Sequence, residues 1–598
     1  MRAQRFTLEN AIYLLIFILA LGIRMIDLGG SPLQENEASN ALQALNLLQA
    51  ERGEVLSAPD NPQPAYLTLT WLAFQILGDH NAIARLWPAL AGALLVFVPF
   101  YFRPLIGRSA ALLLAILLAL DPGLIAVSRQ ADGRMLALSF GLLAFGLAYR
   151  LKMSWAGIFL GLALLSGPAV IPGLAGLILA LVIGGLPFRI RLRAGVESEG
   201  EDDPRPVFPE GYLRTGLIAI GLTIFTAATL FLLYPQGLSS WVVAILAYFK
   251  GWLAPSGVPA LRLLAALLIY QPLGVIFGLS GALRGWLRAD PLSRKLGLWF
   301  LISLLLTTLY PARQVSDLIW TLAPLLALAA LELSPFLAID RGDKRIPAGF
   351  AALVLLLMII FWLNLVGLGR IEPGSQELIL RLAVMAGILV LVGVSTALIG
   401  LGWSWLSAGS GLIWGLCLSL GLYGLANIGD VLQRPADGHQ SLWVQFPAAG
   451  DADLLMQTVG DISSWNAGRG DGLELLVAVD SAALRWSLRD YPDVEYIPES
   501  QAEAFRGQPA LLVTRQAQAE LSLAADYRGQ DFSWWIYPDW PGPLPPNLAS
   551  WIAFQRAPQR QEQVILWARS DLFPGEILQD AGAVQPSPES IAPEEFGP

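Results

Sequence analysis

Two glutamates lie just beyond the first hydrophobic segment, in the sequence Pro-Leu-Gln-Glu-Asn-Glu-Ala at residues 32–38. Acidic side chains a few residues past a membrane span are expected at the membrane face, where they can line a cavity. A carboxylate held there can take a proton from a bound hydroxyl group. Glu35 and Glu37 are therefore the candidate catalytic residues. Asn36 between them cannot act as a base and is a candidate substrate contact.

Four arginines are candidates for binding a phosphate group, because the planar guanidinium pairs with phosphate oxygens through two parallel hydrogen bonds. They are Arg85, Arg129, Arg134 and Arg313. Asp132 lies between the second and third of these and joins the candidate site. Other roles stay open, because arginines near helix ends often extend to lipid headgroups, and Arg313 could pair with Asp317 at a helix start. Glu35 and Glu37 could be solvated loop residues, and Glu37 could favour the start of the next helix.

The composition indicates a membrane-embedded frame around these residues. Of 598 residues, 55% are hydrophobic and 14% are charged, against about 25% charged in soluble domains. Mean hydropathy is +0.57. The net charge of −9 and the lack of basic clusters argue against a nucleic-acid partner. We expect a polytopic α-helical membrane protein.

Apolar runs predict about thirteen transmembrane helices, because roughly 20 apolar residues cross a ~30 Å hydrocarbon core. After a first span at about 11–26, the others are predicted at about 84–102, 108–120, 135–149, 154–166, 169–187, 215–234, 260–282, 296–309, 318–338, 347–368, 378–402 and 408–428. Basic residues in five loops fall on the same side as the N-terminus, which places the N-terminus in the cytoplasm. Residues 28–83 are then an outer loop that contains a short apolar run at 66–77.

The chain is predicted to divide into a transmembrane domain, residues 1–429, and an extracytoplasmic domain, residues 430–598. The second part is polar, without spanning segments. Residues 475–479, 494–497 and 510–514 are typical of strands and residues 481–489 of a helix. This alternation predicts a small α/β or α+β domain.

Metal chemistry has little support in the composition. Cys417 is the single cysteine, so no intramolecular disulfide can form, and the only histidines are His80 and His439. Carboxylates suit a divalent cation, so such an ion is compatible with the acidic residues. No cofactor is required by the sequence.

Residues 8–150 resemble the GT-C glycosyltransferases of the dolichyl-phosphate-mannose protein mannosyltransferase and aminoarabinose transferase type. That family has Pro-hydrophobic-x-x-Asp-Glu-Ala after its first helix, which residues 32–38 match. A Pro-Pro-x-Tyr element is partly matched by residues 63–66, which end in Tyr66. Residues 84–90 resemble its Arg-Leu-Pro-Ala helix start, and residues 121–131 its Pro…Ser-Arg-x-Ala element. A flippase-activity-associated subgroup is the nearest branch.

The resemblance implies that sugar is transferred from a polyprenyl-phosphate donor to an extracytoplasmic lipid, protein or glycan acceptor. Glu35 or Glu37 would act as the base or anchor the acceptor. Arg85 and Arg129 would bind the donor phosphate, with Tyr66, Asp132 and Arg134 nearby. Membrane lipids are further partners.

Two departures from the family leave alternatives open. Asn36 stands where the family has the aspartate of its acidic pair, and Arg134 stands where a downstream acidic residue is common. A non-catalytic binding or assembly protein of the cell envelope would also account for these changes. A lipid-linked sugar transporter is disfavoured, because the chain lacks paired repeats with interrupted helices.

Overall fold

The computed structural model describes residues 7–50, 63–184, 211–235, 237–337, 344–371, 375–433, 439–443, 447–500, 507–516, 525–540 and 542–573. Most of these residues are helical. The first helices are α1 (Leu8–Met25), α2 (Glu35–Ala50), α3 (Pro64–Leu77), α4 (Asn81–Ala84), α5 (Leu86–Leu94), α6 (Val98–Ile106), α7 (Arg108–Leu120), α8 (Pro122–Ser128), α9 (Arg134–Tyr149), α10 (Met153–Leu164) and α11 (Val170–Ile183).

The chain continues through nine further helices of the same apolar character. These are α12 (Tyr212–Ala228), α13 (Gly237–Lys250), α14 (Ala260–Tyr270), α15 (Pro272–Leu287), α16 (Pro291–Leu309), α17 (Ile319–Leu337), α18 (Arg345–Leu368), α19 (Gln376–Gly402) and α20 (Trp405–Leu432). Side chains that accept hydrogen bonds from free backbone N–H groups mark several starts: Asp290 caps α16, Ser375 caps α19 and Ser404 caps α20.

Among the described residues, seven helical segments are long and apolar enough to cross a membrane. They are α1, the α5–α6 segment Leu86–Ile106, α16, Val315–Leu337, α18, α19 and α20. Shorter apolar helices accompany them, and the chain is an integral membrane protein. Each of the thirteen predicted spans overlaps an observed helix. The helix α13 was not predicted, and residues 51–62 of the predicted outer loop lie outside the described residues.

Two pairs of successive helices meet at sharp bends beside prolines. The axes of α7 and α8 differ by 55° at Pro122, and those of α14 and α15 differ by 96° at Pro272. Proline lacks the N–H that continues the helical bonding pattern, and its ring clashes with the preceding turn. The predicted span at 260–282 therefore corresponds to two helices, α14 and α15, that meet at this bend.

Small residues let α15 approach α17 closely. A side chain at Gly278 would meet the Leu325 backbone oxygen at 2.7 Å, and one at Gly274 would meet the Leu326 side chain at 3.1 Å. Glycines four residues apart lie on one face of a helix and allow such close backbone contact between spans. This packing positions α17, which directly follows the turn that contains Asp317.

The described residues form two compact units. The first comprises Met1–Ala452, Ser481–Arg489 and Ser533–Glu562, and the second comprises Asp453–Asp480, Asp490–Phe532 and Gln563–Pro598. The later elements are β1 (Ala448–Ala449), α21 (Ala452–Ala467), β2 (Leu475–Val477), α22 (Ala482–Ser487), β3 (Val494–Tyr496), β4 (Leu511–Arg515), β5 (Tyr527–Pro538), α23 (Leu548–Phe554) and β6 (Gln559–Arg569).

The C-terminal part has the α/β character that the sequence predicts. Within the second unit, β2 pairs in parallel with β3 and with β4, and β4 pairs antiparallel with β6. Within the first unit, β1 pairs antiparallel with the end of β5. The predicted strands at 475–479, 494–497 and 510–514 and the helix at 481–489 are confirmed, whereas the sequence analysis missed β5 and β6.

Candidate functional site

The α8–α9 loop, residues 129–133, lies at the centre of five predicted site residues, Glu37, Arg85, Arg129, Asp132 and Arg134. Its Ala131 N–H donates to Glu37 Oε1 at 2.8 Å. Its Ala131 carbonyl accepts from the side-chain amide of Asn40 at 2.9 Å. Both partners lie on α2, three residues apart and so on one face of that helix. The helix that follows the motif at 32–38 therefore holds this loop in place.

Glu37 is a buried carboxylate that accepts four hydrogen bonds. Arg85 reaches it through Nε at 2.9 Å and Nη2 at 2.7 Å, a two-pronged ion pair. The backbone N–H groups of Ala131 and Gln34 complete the set at 2.8 and 3.1 Å. Burial alone would raise the pKa of Glu37, but the charge and hydrogen bonds of Arg85 and the two backbone donors outweigh it and hold this pKa below its usual value of 4.5. A carboxylate with a lowered pKa is a weaker base.

Arg85 also stabilises the turn that follows α1 by donating hydrogen bonds to its backbone carbonyls. Its Nη1 donates to the carbonyl oxygens of Leu28 and Ser31 at 3.0 and 2.9 Å, and its Nη2 donates to that of Pro32 at 3.0 Å. Each of the three guanidinium nitrogens thus donates within the protein. The Gln34 N–H donates to Glu37 at the start of α2, which agrees with the helix-start role that the sequence analysis left open for Glu37. These contacts give Glu37 and Arg85 a positioning role.

Arg129 lines a polar cavity of about 80 Å³, called here the Arg129 cavity. Its Nη1 donates to the carbonyls of Arg24 and Ile26 at 3.0 and 2.6 Å, and its Nη2 donates to that of Asp27 at 3.2 Å. Burial, followed by the charge of Arg85, lowers the pKa of Arg129 to about 10, so the side chain is cationic at neutral pH. The cavity is also lined by Asp27, Ser31, Gln34, Glu37, Arg85, Gln130, Ser441 and Trp443.

A second polar cavity, of about 100 Å³, contains the Asp132 and Arg134 side chains and is called here the Arg134 cavity. Arg134 Nη1 donates to Asp132 Oδ2 at 2.6 Å, and its Nε lies 3.3 Å from Asp317 Oδ1. Two carboxylates therefore flank one guanidinium, and the three groups carry a net charge of −1 when all are ionised. Further lining residues are Gln63, Ser166, Tyr248, Thr307, Tyr310 and Ala312.

The same loop joins the walls of the two cavities. Arg129 and Gln130 at its start line the Arg129 cavity, and Asp132 near its end lines the Arg134 cavity. The N–H of Gly133 donates to the side-chain oxygen of Gln63 at 2.6 Å. Contacts from Glu37 and Asn40 on one side and from Gln63 on the other thus fix the loop.

Arg313 lies outside this set of contacts. Its Nε donates to the Val258 carbonyl at 2.8 Å, and its Nη1 donates to the carbonyls of Thr308 and Tyr310 at 3.1 Å each. Asp317 instead pairs with Arg134 and accepts from the Gln314 N–H at 2.9 Å. The expected pair of Arg313 with Asp317 was therefore wrong, because the α16–α17 connection turns Arg313 toward the carbonyls at the end of α16.

Tyr66 and Asn36 differ in their surroundings. Tyr66 is fully buried, and its hydroxyl donates to the Ala84 carbonyl at 2.9 Å, which joins α3 to α4. Asn36 lies in the first turn of α2 and is exposed. Neither residue lines the Arg129 or the Arg134 cavity, and their contact with substrate stays a prediction.

Glu35 binds side chains and backbone of the C-terminal part of the first unit. Its Oε1 accepts from Ser481 Oγ at 2.6 Å and from the Trp535 indole N–H at 2.7 Å. Its Oε2 accepts from the Ala483 N–H in the first turn of α22 at 3.1 Å. Negative charge at a helix N-terminus is favourable, so this carboxylate has a structural task.

Replacing Glu35 with leucine should lower the free energy of unfolding by about 2–4 kcal/mol, because two buried N–H donors, those of Ala483 and Trp535, would lose their acceptor. Glu35→Gln keeps one acceptor oxygen and serves as the milder comparison. Thermal unfolding of the full chain in detergent measures the difference. Equal unfolding midpoints for Glu35→Leu and wild type would contradict the structural task.

Metal ligands do not converge in the part of the chain that the structure describes: no three His, Cys, Asp or Glu side chains are grouped to hold an ion. Asp132 and Asp317 come together, but Arg134 lies between them and supplies the positive charge. A divalent ion stays a prediction compatible with carboxylates.

The sequence analysis missed three contributors, namely Asp317 as a cavity residue and the side-chain amides of Asn40 and Gln63. Asn40 lies three residues after Glu37, and this helical spacing could have indicated a shared face. Asp317 lies at a helix start beside an apolar run. At such a position an aspartate is ordinarily interpreted as a residue that caps the helix. No local pattern relates it to Arg134.

No family model and no curated protein matches this chain. Solved structures do match. ArnT from Cupriavidus metallidurans bound to undecaprenyl phosphate has a TM-score of 0.52 at 15% identity, covering 94% of this chain and 99% of that one. Its apo structure has a TM-score of 0.51 at 15% identity, with the same coverage. The archaeal oligosaccharyltransferase AglB from Archaeoglobus fulgidus has a TM-score of 0.40 at 13% identity, covering 86% and 70%.

The likeness to ArnT extends over nearly the whole length of both chains and includes the C-terminal part. It agrees with the order of motifs in residues 8–150 and with the helices and strands described above. The chain therefore has an ArnT-like GT-C fold, an apolar bundle of helices with a C-terminal α/β part.

Proposed function

We propose that this protein is a membrane glycosyltransferase that moves a sugar from a polyprenyl-phosphate donor to an extracytoplasmic acceptor. The observation that carries the proposal is the Arg134 cavity, in which two carboxylates and a guanidinium meet within a GT-C fold. The match to an ArnT structure that holds undecaprenyl phosphate supports a lipid phosphate as part of the donor.

Asp317 is the proposed general base. Transfer to a hydroxyl group requires a group that takes the proton of the acceptor oxygen as the new glycosidic bond forms. Asp132 is the poorer choice, because its Oδ1 and Oδ2 accept from the N–H and Nη1 of Arg134 at 2.9 and 2.6 Å. The contact of Asp317 Oδ1 with Arg134 is longer, at 3.3 Å, and leaves room for an acceptor hydroxyl.

Arg129 is the proposed ligand of the donor phosphate. It remains cationic in a small polar cavity, and its described hydrogen bonds all go to neutral backbone carbonyls rather than to a carboxylate. A phosphate oxygen would be a stronger, charge-assisted acceptor than a carbonyl. Glu37 and Arg85 would act through the α8–α9 loop, by fixing where Arg129 and Asp132 lie.

The orientation of the chain is part of the proposal. The basic loops support a cytoplasmic N-terminus, and the odd number of predicted spans then puts residues 430–598 outside. The α8–α9 loop would lie at the outer membrane face, where a lipid-borne sugar and an acceptor can meet.

A second function is favoured by one observation. The carboxylate oxygens of Glu35, Glu37 and Asp132 already accept hydrogen bonds from protein donors. Carboxylates engaged in this way suit a GT-C-like protein that binds or assembles partners without catalysis. Both functions keep the fold. They differ in turnover, since only the enzyme consumes a donor.

The test is sugar transfer by the purified full chain in lipid nanodiscs, with radiolabelled sugar on undecaprenyl phosphate and a panel of lipid and peptide acceptors. Labelled acceptor is expected with wild type and not with boiled protein. Binding of the donor without release of undecaprenyl phosphate under any condition would favour the non-catalytic function and overturn the proposal.

A further inference from the structure

A cavity of about 330 Å³ lies between the C-terminal halves of α18 and α20 and beside α23. It shares no residue with the Arg129 or Arg134 cavity. The lining combines leucine and isoleucine side chains with polar residues that include Asn427 and Asp430. Its volume is within the range of about 300–1,000 Å³ that is usual for ligand pockets.

The apolar side of this cavity opens on the surface of the helical bundle. Three of its lining residues, Ile359, Leu363 and Leu422, are 42%, 64% and 55% exposed. Both α18 and α20 are long and apolar enough to span a membrane, so these side chains face hydrocarbon. The stacked rings of Trp362 and Tyr423, with centroids 4.6 Å apart, form a flat wall. A hydrocarbon chain matches the chemistry of this side.

Asn427 supplies a poorly satisfied hydrogen-bond donor at the cavity. The residue is 1% exposed, and its Nδ2 makes no hydrogen bond of normal geometry, although it interacts with the Tyr423 side chain one turn earlier in α20. A buried amide donor without a well-aligned partner is costly, and in a span the adjacent hydrocarbon offers no replacement. A ligand oxygen in the cavity would satisfy this donor.

Asp430 lies three residues after Asn427, hence on the same face of α20. It is partly buried and has no ion-pair partner within 4 Å among the described residues, and His439 interacts with it only over a longer distance. Both α18 and α20 end here, and helix C-termini carry partial negative charge, so an aspartate is unfavourable without a cation. Arg370 at the end of α18 instead lies over the Phe554 ring at 5.2 Å.

We propose that this cavity binds a membrane phospholipid with a primary amine in its headgroup. The acyl chain lies against the exposed leucines, Asn427 donates to an ester carbonyl oxygen, and the headgroup amine pairs with Asp430. Paired polar residues of this kind inside spans are characteristic of ligand sites. The site is independent of the proposed sugar transfer, because none of its residues line the Arg129 or Arg134 cavity.

The test uses the delipidated full chain in detergent, given phosphatidylethanolamine or phosphatidylglycerol with identical acyl chains, and counts bound lipid by native mass spectrometry. We expect wild type to prefer phosphatidylethanolamine by about tenfold, which corresponds to about 1.4 kcal/mol. Asp430→Asn should abolish the preference, and Asn427→Leu should weaken binding of both lipids.

Two matched variants control for the substitutions themselves. Asp461→Asn changes an exposed aspartate. Asn364→Leu changes a half-buried asparagine of α18 whose side-chain amide donates to the Ile360 carbonyl. Both should bind lipid as wild type does. Equal binding of the two lipids by wild type would overturn the proposal without any variant. The proposal would also be overturned if Asp430→Asn kept the wild-type melting temperature and still preferred phosphatidylethanolamine.

Discussion

Replacing Asp317 with asparagine is expected to lower the rate of sugar transfer by about 10²–10⁴-fold, the usual contribution of a positioned general base. Asparagine has nearly the same shape and still carries an oxygen that can accept from Gln314 at the helix start. It cannot take a proton. The fold should therefore persist while turnover falls, and the measurement is initial rate at saturating donor and acceptor.

Asp290→Asn is the matched control. Asp290 also lies at a helix start, where it accepts from the Ser293 N–H at 3.0 Å, and it lines neither polar cavity. Its substitution should leave transfer at the wild-type rate. If Asp132→Asn abolished transfer and Asp317→Asn did not, the base would be Asp132. If neither change altered turnover, the Arg134 cavity would not be the site of chemistry.

Arg85→Met is expected to lower the free energy of unfolding by about 3–5 kcal/mol, because it leaves the Glu37 carboxylate buried without its counter-charge. The side chains of this pair are each 5% exposed. Methionine retains much of the apolar stem but none of the donors to Glu37 and to the turn after α1. Chemical unfolding of the full chain in detergent, followed by tryptophan fluorescence, measures the loss.

Two further variants separate the buried charge from lost packing. The double change Glu37→Met with Arg85→Met removes both charges and should restore part of the stability. Arg381→Met breaks an ion pair whose side chains are 31% and 57% exposed, and its cost should be about 0–1 kcal/mol. A loss for Arg85→Met no greater than that for Arg381→Met would contradict the positioning role of the pair.

The direction of the Glu37 pKa gives the sign of its pH dependence. Because the pKa in the folded protein is lowered from 4.5, folding favours the ionised form. The stability that the pair contributes is fully present above this ordinary value and is lost as the pH falls through the folded pKa. Acid unfolding of wild type should therefore include a component below pH 4.5 that Glu37→Gln lacks.

The amino-acid sequence by itself determined the membrane class, the approximate positions of the spans and three strands of the C-terminal part, β2, β3 and β4. These features depend on hydrophobic runs and on alternation within a few residues, which local physics controls. The order of short motifs in residues 8–150 was enough to indicate the GT-C fold. It also singled out Glu37, Arg85, Arg129 and Asp132, which the folded chain brings around one loop.

Only the tertiary structure decided what those residues do. Glu37 meets Arg85 across 48 positions of sequence and four donors surround it, so it is a buried partner of the loop rather than a free carboxylate. Asp317 lines the cavity from the turn that precedes α17, and no local pattern reveals the close packing of that helix on α15 at Gly278. The physical reason is that the protonation and availability of a side chain depend on burial and on partners distant in sequence. A sequence motif specifies neither.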